Sequence, residues 1–237
     1  MKYFDLHCDT IGECHLQKQP LYRNHLHLDL SRGAEFSAWT QCFAIWIPDE
    51  MRGQQALDYF KAVHQTYVRE CAQNKTLVTP CIENSDFVRA ERLGTCGTVL
   101  TVEGGAVLGG NLDNIPYLAS CGVRMLTLTW NGTCEFGDGA MVTHPKGLTK
   151  FGRKAIPKLE QQRIVVDISH ASEPLFYDAA EIASKPLVAS HSNARAVCNH
   201  PRNLTNEQVQ IIKQSGGLIG LNFHPPFLKE DGIATVD

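Results

Sequence analysis

Basic charge is too scarce and too scattered in this chain to serve a polyanion. Its 237 residues carry 22 Lys and Arg against 25 Asp and Glu, a net charge of −3. A protein that tracks a phosphate backbone normally shows a basic stripe, so no nucleic-acid partner is expected. Long apolar runs are missing as well. No stretch approaches the roughly 18 residues that span a bilayer, so no membrane partner is expected either. The chain opens Met1-Lys-Tyr-Phe-Asp-Leu6 and runs straight into the first strand, so no signal peptide is expected. Paired glycines occur at Gly104-Gly105 and Gly109-Gly110, yet neither pair sits in a P-loop or a dinucleotide fingerprint. Close approach of backbone to a site is their better use. Internal repeats, low-complexity tracts and linker-like segments are absent, and one domain over residues 1–237 is the expectation.

Cysteine is plentiful, but none of the nine falls in a C-x-x-C pair. An odd count without a metal-finger or redox spacing reads as free thiols in a reducing compartment, so the expected location is cytoplasmic. Cys8 lies between His7 and Asp9 and should point to the opposite face of its strand, into packing.

What is present is a rhythm of short β-rich runs alternating with helical patterns, the signature of repeated βα units. Strands are expected at 3–8, 41–47, 98–103, 124–129, 164–169, 187–191 and 218–223. Ala56, Phe60, Val63, Tyr67 and Cys71 recur at helical spacing, so one face of that helix is buried. A shorter helix is expected over 175–182. Thr205-Asn-Glu-Gln208 is a capping box opening another, which Gly216-Gly217 closes. Residues 131–148 are Gly-rich without periodicity and read as one long loop after a strand end. The first loop is expected to hold His15, His25 and His27. The fold class this implies is α/β, a parallel (β/α)8 barrel of the TIM type. Only seven strands are legible, however, and closure needs an eighth. The expectation is therefore a barrel lacking its C-terminal βα portion, with two open parallel edges.

The chemistry-bearing residues close these strands. His7 and Asp9 stand in Asp5-Leu-His-Cys-Asp-Thr10, Glu103 in Val102-Glu-Gly-Gly105, His170 in Asp167-Ile-Ser-His170, and His191 in Ala189-Ser-His-Ser192. In a parallel barrel the C-terminal strand ends converge on one mouth. His-x-Asp puts two side chains on one face of a strand, and Glu103 offers a hard carboxylate able to span two cations. His170 and His191 offer neutral imidazoles, which suit Zn2+. The five residues read as a site for two Zn2+ ions per chain, bridged by a catalytic Glu103. A hydroxide shared by such a pair attacks a carbonyl that the metals polarise.

These residues resemble the membrane (renal) dipeptidases and their bacterial relatives, through essentially the whole chain. The resemblance is carried by Asp5-Leu-His-Cys-Asp-Thr10, Val102-Glu-Gly-Gly105, Leu126-Thr-Leu-Thr129, Gly147-Leu-Thr-x-x-Gly152, Val166-Asp-Ile-Ser-His-Ala-Ser172, Ser190-His-Ser192 and Arg202-Asn203. It implies that His7, Asp9 and Glu103 hold one zinc and that Glu103, His170 and His191 hold the other. The implied reaction is hydrolysis of a dipeptide, with tolerance for a D-residue on its C-terminal side. Arg202 matches the arginine that binds the substrate's free carboxylate, a task suited to a planar bidentate donor. Because family members are often dimers, the resemblance also implies a homodimer.

Three departures from the family pattern stand out. Trp130 occupies the place of a His that contacts the tetrahedral intermediate in mammalian members; Trp130 is expected as a pocket wall and Asn131 as a substrate donor. Phe227 stands where some relatives place a Tyr in the carboxylate clamp. The eighth-strand Asp, in a Gly-Ser-Asp-Phe-like motif, is not found. Two other readings remain open. One is a different two-metal barrel hydrolase, a nuclease or lactonase, although those usually open with His-x-His rather than His7-x-Asp9. The other is a catalytically defective metal-binding fragment, which the lack of an eighth strand would favour.

Overall fold

A computed structural model describes residues 1–235. The chain alternates as expected: β1 (Lys2–Cys8), α1 (Thr10–Gln17), β2 (Ala38–Trp46), α2 (Gly53–Gln73), β3 (Val78–Pro80), α3 (Asn84–Leu93), β4 (Cys96–Glu103), α4 (Asn114–Ser120) and β5 (Val123–Thr127). There follow β6 (Thr133–Cys134), β7 (Gly137–Asp138), α5 (Lys150–Gln161), β8 (Val165–Asp167), α6 (Glu173–Ile182), β9 (Val188–Ala189), α7 (Asn206–Gln214) and β10 (Leu218–Ile219). The main sheet runs β1-β2-β4-β5-β8-β9-β10, all parallel, and curls into a half-barrel of seven strands. β1 and β10 do not pair with each other among the described residues.

The helical face of the sheet and its concave face carry separate apolar layers. Phe43, Ile45, Leu100, Val102 and Leu126 pack outward with Phe60 and Val63 of α2. Cys42, Val99, Met125 and Val188 pack inward. The period-2 alternation of Cys42 with Phe43 and of Val99 with Leu100 follows from strand geometry. β4, central and covered on both faces, is buried at all eight positions, as parallel strands between two layers should be. The curl is tight enough that the rings of His7 on β1 and His191 after β9 stack with centroids 3.8 Å apart.

The differences from the sequence reading have local causes. β3 is a three-residue strand beside the first half of β4, where β5 takes over along the second half. Three residues are too few to show a period. The loop expected over 131–148 contains the β6–β7 hairpin. His15 sits in α1 rather than in a loop, with its Nδ1 2.9 Å from Thr66 Oγ1. β8, β9 and β10 are shorter than expected, and the Asp167 side chain explains the first two. Its Oδ1 accepts from the Ser169 and Ser190 amides at 3.0 and 2.9 Å, supplanting ladder bonds there. The helix over 205–217 holds as read, with the Thr205–Gln208 capping box formed in both directions.

All nine cysteines are free thiols. Burial pushes Cys14 up to about 12 and Cys81 and Cys134 up to about 11, so these three are protonated packing residues rather than nucleophiles. No helix among the described residues is long and apolar enough to cross a membrane.

Gly105 shows what the backbone crowding near Glu103 demands. A Cβ there would lie 2.4 Å from the Leu128 carbonyl oxygen and 2.3 Å from the Phe136 ring. Thr205→Ala should cost about 1 kcal/mol through the lost cap. Gly105→Ala should cost clearly more, because backbone must move, and chemical denaturation of both variants compares them. A Gly105→Ala protein as stable as wild type would refute the close-approach reading.

Candidate metal centre

Glu103 ends β4 with only 3% of its surface exposed. A buried carboxylate needs compensating charge or donors, and three imidazoles converge on one of its oxygens. The Nε2 atoms of His170, His191 and His7 lie 2.9, 3.2 and 3.8 Å from Glu103 Oε1. His170 Nε2 is also 2.9 Å from His191 Nε2. Asp9 precedes α1 at its N-cap position without a side-chain capping bond, its side chain half exposed and its Oδ1 3.5 Å from His7 Nε2. All five residues read from the sequence as metal ligands therefore meet at the mouth. The ligand atoms of His7, Glu103 and His191 lie within 4.8 Å of one another.

Outer contacts decide which imidazole nitrogens face inward. Asn131 Oδ1 accepts from His170 Nδ1 at 2.9 Å, which leaves His170 Nε2 without a proton. The same logic holds for His191 through two residues. Ser190 Oγ donates to Asp167 Oδ2 at 2.6 Å and accepts from His191 Nδ1 at 2.7 Å. Asp167 is fully buried and also accepts from Thr127 Oγ1 at 2.6 Å. These contacts, with its two backbone donors and the nearby His191, hold its carboxyl below the usual range against burial. Two bare nitrogens and a carboxylate oxygen thus stand within 3.2 Å of each other. Such lone pairs repel unless a cation lies among them. Around a tetrahedral zinc with bonds of about 2.0–2.1 Å, neighbouring ligand atoms stand about 3.3 Å apart, so both the spacing and the mixed N/O donor set fit that ion.

The electrostatics agree. Burial opposes ionisation of Glu103, yet His7 and His170 hold its carboxyl well below the usual carboxylate range. Burial likewise opposes charge on His7, but Glu103 and Asp9 outweigh it and raise His7 to about 9. Burial and Arg202 bring His170 down to about 3, and burial and His7 lower His191.

His170 achieves its position at a backbone cost. Its φ of 66° is left-handed, uncommon for a non-glycine residue. Its carbonyl is held by Ala140 N at 2.7 Å and Thr129 Oγ1 at 3.3 Å, so the surrounding loop enforces the turn.

Arg202 is 4% exposed and lies behind His191, donating from Nη2 to the His191 carbonyl at 3.4 Å. Its guanidinium carbon is 5.5 Å from the Phe227 ring centroid. Burial draws Arg202 down to about 10 while Glu103 and Asp167 support its charge. Trp130 packs edge-on against Trp46, centroids 4.9 Å apart, and its ring stands 6.3 Å from His170. Trp46 is in register with Glu103 on the neighbouring strand, so both face the mouth. Asn131 is engaged with His170. Residue type and spacing assign no role to Asp167, Ser190, Thr127 or Trp46, which the tertiary structure brings to the site. The available signals were an acid within the apolar run Ile164-Val-Val-Asp167 and an aromatic at the end of β2.

Known proteins share this arrangement of elements. A metallo peptidase from Rhodobacter sphaeroides, liganded with a phosphinate mimic of the dipeptide L-Ala-D-Ala, superposes with a TM-score of 0.90 at 27% identity, covering 98% of this chain and 76% of that one. A second metallo peptidase structure, dipeptidase AC, gives 0.89 at 29% identity over 100% of this chain and 76% of its own. An uncharacterized protein in the pqqA 5' region of Klebsiella pneumoniae is 35% identical over 163 residues, 66% of this chain and 60% of that protein, so under two thirds of that relative is spanned. The match to the membrane dipeptidase family runs over residues 1–237. The chain belongs to the membrane dipeptidase family, Peptidase family M19.

Proposed function

We propose that the protein is a zinc-dependent dipeptidase that accepts a C-terminal D-residue and works with two Zn2+ ions bridged by Glu103. The observation that carries this reading is the buried Glu103 carboxylate set among His7, His170 and His191, with the Arg202 guanidinium directly behind His191. The Rhodobacter relative's L-Ala-D-Ala mimic supports the substrate class. In this reading His7, Asp9 and Glu103 hold one ion, and Glu103, His170 and His191 hold the other. Bound zinc would supply a Lewis acid that polarises the scissile carbonyl and lowers the pKa of the attacking water.

The chain's own residues do the rest. Arg202 anchors the free carboxylate and sets the distance from that end of the substrate to the metal ligands, which selects short peptides. Its 4% exposure means that the anchor works in a water-poor setting, where a charge-assisted hydrogen bond is strong. Trp46 and Trp130, edge-on to each other beside Glu103 and His170, form an apolar wall that keeps bulk water from the scissile bond. Asn131 keeps His170 Nε2 free, and Asp167 through Ser190 does the same for His191.

Glu103→Gln should abolish turnover and release at least one zinc, measured by metal analysis beside a dipeptide assay; an active two-zinc variant would sink the bridging role. Arg202→Ala should raise KM at least tenfold for dipeptides with a free carboxylate and leave amide-capped dipeptides little changed, tenfold corresponding to about 1.4 kcal/mol of lost binding. An equal loss on both substrate types would refute the anchor. Asp167→Asn keeps the shape but offers Ser190 a weaker acceptor, and zinc affinity should fall about 10- to 100-fold as for other outer ligand partners. Unaltered affinity in competition with a chelator would show that the Asp167–Ser190–His191 chain does not orient the ligand.

A further inference from the structure

Three buried polar atoms near the anchor have no hydrogen-bond partner: Ser192 Oγ, Arg202 Nε and Asn203 Oδ1. Arg202 and Asn203 are neighbours in the chain and Ser192 lies ten residues before Arg202, and all three line one small cavity, together with Ile168, His170 and Gln208. The cavity offers about 10 Å³ to the centre of a water-sized sphere. A buried water needs roughly that much space and two to four polar partners.

The donor and acceptor pattern suits one molecule. Arg202 Nε can only donate. Asn203 uses its Nδ2 on the carbonyls of Cys198 and Phe227, both at 2.9 Å, so its Oδ1 is fixed as an acceptor. Ser192 Oγ can do either, and its backbone is held by Ser192 N donating to the Gly220 carbonyl at 2.9 Å. A water accepting from Arg202 Nε, donating to Asn203 Oδ1 and sharing a bond with Ser192 Oγ would satisfy all three at once.

We propose that this cavity binds one structural water, and that the water fixes the rotation of the Arg202 guanidinium. The other restraints on that group leave its rotation loosely defined. They are a 3.4 Å bond from Nη2 to the His191 carbonyl and the Phe227 ring 5.5 Å away. With Nε engaged by the water and Nη2 by His191, the remaining guanidinium donors are the ones free for a ligand carboxylate. The water thus acts as a positioning element for carboxylate recognition. That second part rests on the dipeptidase reading; the water site itself does not.

Two measurements test this. A high-resolution crystal structure of the zinc-loaded protein should show one ordered water bonded to Ser192 Oγ, Arg202 Nε and Asn203 Oδ1. An empty cavity, or Arg202 Nε paired directly with Asn203 Oδ1, would overturn the site whether or not the protein cleaves dipeptides. Ser192→Val fills the space and should expel the water. Its KM for carboxylate-bearing dipeptides should rise about tenfold with kcat nearly constant, the scale of one lost water-mediated bond. Ser192→Ala leaves room for the water and should show the smaller KM change of the two. If Ser192→Val folds with the water gone and KM unmoved, the positioning role is refuted. Should Ser192→Val fail to fold, Ser192→Thr, which keeps the hydroxyl and puts one methyl group into the cavity, replaces it with the same expected KM rise. Absence of turnover in wild type, with the water in place, would count against the dipeptidase reading alone.

Discussion

A carboxylate that is 3% exposed must be met by positive charge, and this requirement at Glu103 organises the mouth of the half-barrel. An uncompensated buried charge costs several kcal/mol, so Glu103 is tolerable only with its three imidazoles and a cation or proton among them. The imidazoles in turn are useful to Glu103 only if their inward nitrogens are the right ones. This demand passes outward to Asn131 behind His170 and to Ser190 and Asp167 behind His191. Asp167 is the end of that chain and is itself a buried acid, satisfied by four hydrogen bonds.

The same contacts shape the fold. Where Asp167 takes the amides of Ser169 and Ser190, the ladder between β8 and β9 is reduced to one pair of residues. The backbone there is free to turn, and His170 takes its left-handed conformation immediately beyond. The half of the sheet that carries β2 and β4 is long and regular, with eight residues in register from Trp39 to Trp46. The site is therefore built between a stiff half that presents Glu103 and Trp46 and an irregular half that presents His170, His191 and Arg202. The second half trades regular pairing for side-chain placement.

Much of this was legible in the residues. The five ligand types at strand ends named the mouth, because in parallel βα repeats the C-terminal ends gather on one side. The capping box at Thr205 and the buried face of α2 were equally plain, since both depend on spacing within a few turns. The three-residue β3, the β6–β7 hairpin and α1 escaped because short elements carry no period and are stabilised by distant partners. Asn131 illustrates the limit within the site. It is expected to offer a donor to substrate, and only the tertiary structure shows that its Oδ1 also accepts from His170 Nδ1.

The sequence by itself determined the βα alternation and the family, because these reside in residue type and local spacing. Tertiary structure alone decided that the imidazoles share one oxygen of Glu103, that Asp167 orients His191 through Ser190, and that Arg202 lies buried beside a small polar cavity. Each of those facts joins residues from different strands, and only the curl of the sheet sets the distances between them.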